Sequence, residues 1–98
     1  MFTMTAYFVA QFTVKNADTL ASYSKKAGPV IASHGGEVIF KSATGEALDG
    51  VNPHKGIAVF AFPSEQAMKE CHASRDYQSL VNERCQGADM VISGYVAV

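Results

Sequence analysis

Ninety-eight residues carry eight basic and nine acidic side chains, a formal charge of −1, so the chain makes one small domain without the basic stripe that nucleic acid needs. Hydrophobic residues, at 48%, are too many for a disordered chain, yet no apolar run approaches the ~20 residues of a membrane span. Met1 to Phe8 lacks the charged start and long apolar core of a signal peptide, and Cys71 and Cys85 form no CxxC, so a cytoplasmic location with two free thiols is expected.

Ala6 to Val14 reads as the first strand. Phe8, Ala10, Phe12 and Val14 share one apolar face, while Tyr7, Val9, Gln11 and Thr13 share a mixed one. Asn16 is placed to cap a helix, with Asp18 near the positive end of its dipole. Leu20, Tyr23, Ala27, Ile31 and His34 follow at helical spacing. Pro29, behind Gly28, removes a backbone donor and predicts a kink or split. Gly35 and Gly36 end the helix, Gly35 as its left-handed cap.

Glu37 to Lys41 is the second strand. Ser42 to Gly56 reads as loop, punctuated by Gly45, Gly50, Asn52 and Pro53, with a short extended piece at Ala47 and Leu48. Ile57 to Phe62 is the third strand, stopped by Pro63. Ser64 caps the next helix, whose inner face takes Ala67, Met68 and Cys71. Ser74 caps a further helical piece with Tyr77, Leu80, Val81 and Arg84 on one side, broken by Gly87. Asp89 to Val96 is the last strand.

This β-α-β-β-α-β order, with the second helix in two pieces, predicts a ferredoxin-like α+β domain over residues 1–98. Its four-stranded antiparallel sheet carries helices on one face. Each strand keeps apolar residues on both faces: Tyr7 and Val9, Val38 and Ile39, Val59 and Phe60, Val91 and Ile92. At about 25 cal/mol per Å², leaving the uncovered face in water forfeits several kcal/mol. A second copy is expected to cover it, as a two-fold homodimer.

The chain resembles the dimeric α+β barrel superfamily and, within it, the family catalogued as domain of unknown function 1330. The residues that carry the resemblance begin with Ala6, Tyr7 and Val9, then Tyr23, then His34-Gly35-Gly36. Leu48-Asp49-Gly50, Phe62-Pro63-Ser64 and Ala67 continue the pattern, and Ser74, Asp76, Tyr77, Gln78 and Arg84 complete it. It runs from Thr5 to Gly94. The resemblance implies a dimer with sheets face to face and a pocket between helices and sheet in each subunit. Two departures stand out. Cys71 and His72 replace the family's aromatic pair, and Val51-Asn52-Pro53 replaces a tryptophan-proline turn.

His72, Ser74, Asp76 and Tyr77 form the densest group of reactive side chains. His72 is the candidate for proton transfer, with Asp76 placed to orient it at i,i+4. The same Ser74 and Asp76 also suit a helix start, with Tyr77 packing inward. His34, at a helix C-terminus, is the second acid–base candidate, or else pairs with the helix dipole. Tyr77 and Arg84 share a helical side and are the candidates for positioning a substrate, with Ser74 and Asp76 as further contacts.

Cys71 beside His72 is poorly placed as a nucleophile, since adjacent helical residues point about 100° apart. His34, His54 and His72 show no metal-ligand spacing, which leaves only a site assembled from His34, His72 and Glu37 or Asp76. There is no phosphate loop, nucleophile elbow or dinucleotide fingerprint, so no cofactor and no resident metal are expected. Two functions fit. One is a cofactor-free enzyme for a small organic acid or cyclic metabolite, acting by proton transfer, isomerisation or, by resemblance to the superfamily, oxygenation. The other is a binding or interaction module without catalysis.

Overall fold

The computed structural model describes residues 5–98, so the reading of Met1 to Phe8 falls partly outside the described residues. Strand β1 (Ala6–Val14) leads into helix α1 (Ala17–Ser33), then β2 (Glu37–Ser42) and β3 (Gly56–Phe62). Helices α2 (Glu65–Ala73), α3 (Arg75–Gln78) and α4 (Val81–Gly87) precede β4 (Ala88–Val96). The strands form one antiparallel sheet in the order β2-β3-β1-β4. That is the ferredoxin-like α+β arrangement. No helix among the described residues is long and apolar enough to cross a membrane.

The helix starts lie where the short polar side chains dictate. Asn16 Oδ1 accepts from the Thr19 N–H at 3.0 Å. Ser64 Oγ accepts from Ala67 at 3.0 Å and Ser74 Oγ from Tyr77 at 3.1 Å. Each such cap is worth about 1 kcal/mol. Gly35, at φ 84°, takes the left-handed conformation that ends α1.

Three expectations are corrected. Helix α1 runs through Pro29 without a split. Lys25 and Pro29 are both exposed, so the carbonyl that proline orphans lies on the solvent side, where water can satisfy it. Ala47 and Leu48 form no extended pairing. The segment after Ser74 divides once more, giving three helical pieces after β3. The Leu80 N–H bonds back only three residues, to the Tyr77 carbonyl at 2.9 Å, and Ser79 Oγ donates to the Asp76 carbonyl at 2.8 Å. This tight turn brings Leu80 against the core.

Helices cover one sheet face only. Phe8 stands at the centre of that face, with Phe62 and Tyr77 edge-on at centroid distances of 5.9 and 6.1 Å. Tyr23, Ala27 and Ile31 descend from α1 onto the same cluster, and Met68 and Cys71 from α2. The other face carries Tyr7, Val9, Ile57, Val59, Val91 and Tyr95, as the register pairs them. A bulge between Val38 and Phe40 shifts the β2 register. Phe40 then pairs with Val59 on the open face, and Lys41 pairs with Ala58 on the helix face.

Helices α1 and α4 cross at close range. A Cβ at Gly87 would lie 2.7 Å from the Leu20 nitrogen and 2.8 Å from its Cα. The Gly87 carbonyl accepts from the Lys15 and Asn16 N–H groups at 2.9 and 3.0 Å. Glu83 ties the same pair of helices, accepting from Ser22 Oγ at 2.9 Å and from Lys26 Nζ at 3.1 Å. Those hydrogen bonds, Ser22 first and Lys26 second, hold its carboxyl below the usual range. Gly87→Ala must push backbone from backbone and is expected to cost about 1–3 kcal/mol. Urea unfolding checks this; an unchanged midpoint would show that the helices part freely.

Candidate functional site

Between α1 and the sheet lies a cavity of about 420 Å³. It exists because the facing positions are small: Ala27 and Gly28 on α1, Ala10 and Ala58 on the strands. Phe8, Phe12, Phe60 and Ile92 give it apolar walls. Its polar groups are few: Tyr23, Ser24, Lys41 and Ser42. Ser24, Gly28 and Lys41 are exposed and form the mouth. Apolar walls with a few polar groups, at this volume, are what small-molecule sites share.

Behind one wall runs a chain of hydrogen bonds. Arg84 Nη1 donates to the Tyr77 hydroxyl at 3.0 Å. The Tyr77 and Tyr23 hydroxyls stand 2.7 Å apart, buried. The Arg84 guanidinium carbon also sits 6.0 Å over the Tyr77 ring. Burial, followed by the field and hydrogen bond of Tyr77, holds the Tyr23 phenol far above its ordinary range, so it stays a neutral donor. Burial opposes the Arg84 charge, but its hydrogen bond to Tyr77 and the fields of both phenols leave it above its ordinary value.

The candidates from the sequence are thus divided. Tyr77 and Arg84 come together as the spacing implied, but as support behind Tyr23 rather than as cavity walls. Ser74 caps Tyr77 and donates to the Cys71 carbonyl at 2.7 Å. Asp76 is exposed, and no hydrogen bond joins it to His72 among the described residues. His72 borders a separate cleft of about 510 Å³ between α2 and β4, beside Glu65 and Lys69. Its ring leans on Tyr77 at 5.5 Å and Phe8 at 6.1 Å. His34 Nδ1 is 3.0 Å from the Val30 carbonyl, closing the helix end, and borders neither space.

Cys71 is fully buried and Cys85 exposed, both as free thiols. Burial pushes the Cys71 thiol up, away from the reactive thiolate. Among the described residues no three His, Cys, Asp or Glu side chains converge as a metal set. Two site residues escaped the sequence reading. Tyr23 looked like one more residue of an inward stripe, although an inward tyrosine always needs a partner for its hydroxyl. Lys41 reaches the helix face only through the bulge, which no sequence signal announces.

The sheet order and the helices on one face define a ferredoxin-like α+β fold. The chain belongs to the family described as Domain of unknown function (DUF1330), whose pattern matches residues 5–95. Among solved structures it is similar to a protein of unknown function from Rhodopseudomonas palustris, with TM-score 0.77 and 19% identity, covering 97% of this chain and 83% of that one. It is also similar to SnoaB, a cofactor-independent oxygenase from Streptomyces nogalater, with TM-score 0.67 and 14% identity, covering 98% and 95%. A third likeness is to a putative antibiotic biosynthesis monooxygenase from Nitrosomonas europaea, with TM-score 0.57 and 10% identity, covering 100% and 95%. At these identities the likeness establishes the fold. No curated protein matches the chain.

If Tyr23, Tyr77 and Arg84 form one network, cutting it once removes most of its value. Tyr77→Phe is expected to cost about 1–3 kcal/mol, because it strands a buried donor. Tyr23→Phe added to it should cost about 1 kcal/mol less than the two single changes predict by addition. Chemical denaturation of the four proteins measures the cycle. Additive costs would show that the two hydroxyls do not depend on each other.

Proposed function

We propose that the protein binds a small, partly apolar organic acid or cyclic metabolite in the α1–sheet cavity, without a cofactor, as a homodimer. The observation that carries this reading is the cavity: apolar side walls, a phenol on one wall and an exposed lysine at the mouth. The apolar body of the ligand would fill the space between Phe8, Phe12 and Phe60, and an acidic group would meet Lys41. A cytoplasmic location, in keeping with two free thiols, belongs to the same reading.

A cofactor-free enzyme is the second reading, by proton transfer, isomerisation or oxygenation. The likeness to SnoaB, named as a cofactor-independent oxygenase, favours it. So does the neutral, buried phenol of Tyr23 at the cavity wall. Proton transfer by His72 would instead need a substrate in the α2–β4 cleft, because His72 does not border the apolar α1–sheet cavity.

The open sheet face supports the homodimer. Phe40, Val91 and Tyr95 are each about half exposed there. The loop after β2 is fastened to the same face, with Asn52 Nδ2 donating to Gln11 Oε1 at 3.3 Å and Thr13 Oγ1 to the Pro53 carbonyl at 3.3 Å. That loop holds Leu48 and Val51 almost fully in water, at 92% and 98% exposure. A second copy would cover both the face and the loop.

A thermal-shift screen of small aromatic and alicyclic acids against their neutral amides tests the ligand class. Acids should raise the melting temperature more than amides, and Lys41→Met should erase the difference. Gly28→Leu should weaken every shift while keeping the chain folded, since a Cβ there meets nothing within 4 Å and the helix loses a glycine. Shifts that survive Gly28→Leu unchanged would place the ligand elsewhere.

Sedimentation at micromolar concentration tests the dimer. It should give about twice the 10.5 kDa chain mass, and Val59→Lys should give the single-chain value. A wild-type monomer under these conditions would overturn the assembly.

A further inference from the structure

We infer that Arg84, Tyr77 and Tyr23 form a one-way hydrogen-bond relay that presents the Tyr23 proton to an oxygen acceptor on the cavity's ligand. The inference rests on the cavity being the binding site and assigns what reads the ligand inside it.

The direction follows from counting donors and acceptors. A guanidinium only donates, so the Tyr77 oxygen accepts from Arg84 Nη1. Tyr77 is 0% exposed, and its hydroxyl has one other partner among the described residues, the Tyr23 oxygen at 2.7 Å. If Tyr23 donated to Tyr77, the Tyr77 proton would be buried with no acceptor. That arrangement costs about 1–3 kcal/mol. The Tyr77 proton therefore goes to the Tyr23 oxygen, and the Tyr23 proton is left over. Tyr23 borders the cavity and Tyr77 does not; with the leftover proton on the Tyr23 oxygen, a ligand in the cavity would be its acceptor.

Charge points the same way. Arg84 makes no ion pair among the described residues, and its Nε–H is buried without a partner. Glu83, next to it in sequence, is engaged by Ser22 and Lys26. An uncompensated cation at the head of the chain polarises each hydroxyl in turn and strengthens the last donor. Such a donor selects a carbonyl, carboxylate or enolate oxygen over a methylene of the same shape. Tyr23 is then the specificity-determining contact, while Tyr77 and Arg84 are positioning residues.

Acetophenone and ethylbenzene test the relay, because they share a shape and differ by one oxygen. Calorimetry gives the ratio of their Kd values within each protein, so a change in stability cancels. From wild type to Tyr23→Phe the ratio should move against acetophenone by roughly three- to tenfold, the range of one hydrogen bond. The infrared carbonyl band of bound acetophenone should lie lowest in wild type, highest in Tyr23→Phe and between them in Tyr77→Phe, where the hydroxyl remains without its polarising neighbours. Tyr77→Phe also carries the test should Tyr23→Phe not fold. An unchanged Kd ratio, or a Tyr77→Phe band at the wild-type position, overturns the relay while leaving cavity binding intact. Binding of neither probe to wild type overturns cavity binding, and the relay with it.

Discussion

The buried hydroxyl of Tyr77 is the constraint around which the helical layer is arranged. Tyr77 is fully buried, so its oxygen and proton must both be satisfied from within. One partner comes from α1, as Tyr23, and the other from α4, as Arg84. Three helical elements are thereby held at one point above Phe8. The ring itself packs edge-on against Phe8 and Tyr23, so shape and polarity fix the same position. The divided helix after β3 is part of that solution. A straight continuation past Gln78 would not make the tight turn that starts α4 and brings Arg84 back to the Tyr77 oxygen.

Holding the helices there leaves a gap elsewhere. Helix α1 is anchored to the sheet by Tyr23 and Ile31 and to α4 by the Gly87 crossing. Between those anchors it offers only the small Ser24, Ala27 and Gly28, facing Ala10 and Ala58. Small residues on both walls do not fill the space between the layers, so it stays open. A larger side chain at Gly56 is also excluded, since its Cβ would meet the Phe12 ring at 2.4–2.7 Å. The cavity is thus bounded by residues whose positions are set by packing outside it.

The elements and their caps were legible because they depend on local chemistry. Asn16, Ser64 and Ser74 each announce a helix start, and each accepts the expected N–H. Strand alternation grouped Phe8, Ala10 and Phe12 on one apolar face, which is the face that packs under the helices. What depends on position around a helix or along a register was less legible. Pro29 is tolerated within α1 on its solvent side, where the freed Lys25 carbonyl can reach water, and that exposure is not written in the local sequence. The β2 bulge reverses the faces of Phe40 and Lys41, and with them the mouth of the cavity. The group from His72 to Tyr77 drew attention because reactive residues are dense there. Yet Ser74 is a cap, Asp76 faces solvent and only Tyr77 joins the buried network.

Cys71 and His72 stand where the sequence resemblance leads to the expectation of an aromatic pair, and each has a defined structural place. Cys71 fills a fully buried position in the core, and its thiol is kept protonated by that burial. His72 lays its ring against Tyr77 and Phe8, so it occupies the place of a packing aromatic while adding a polar edge to the α2–β4 cleft. Neither residue borders the α1 cavity. The His72 ring therefore backs both the Tyr77 ring and the Phe8 wall of the cavity. Two contacts carry its influence toward the cavity: Phe8, which touches His72 and lines the cavity, and Tyr77, which touches His72 and bonds to Tyr23.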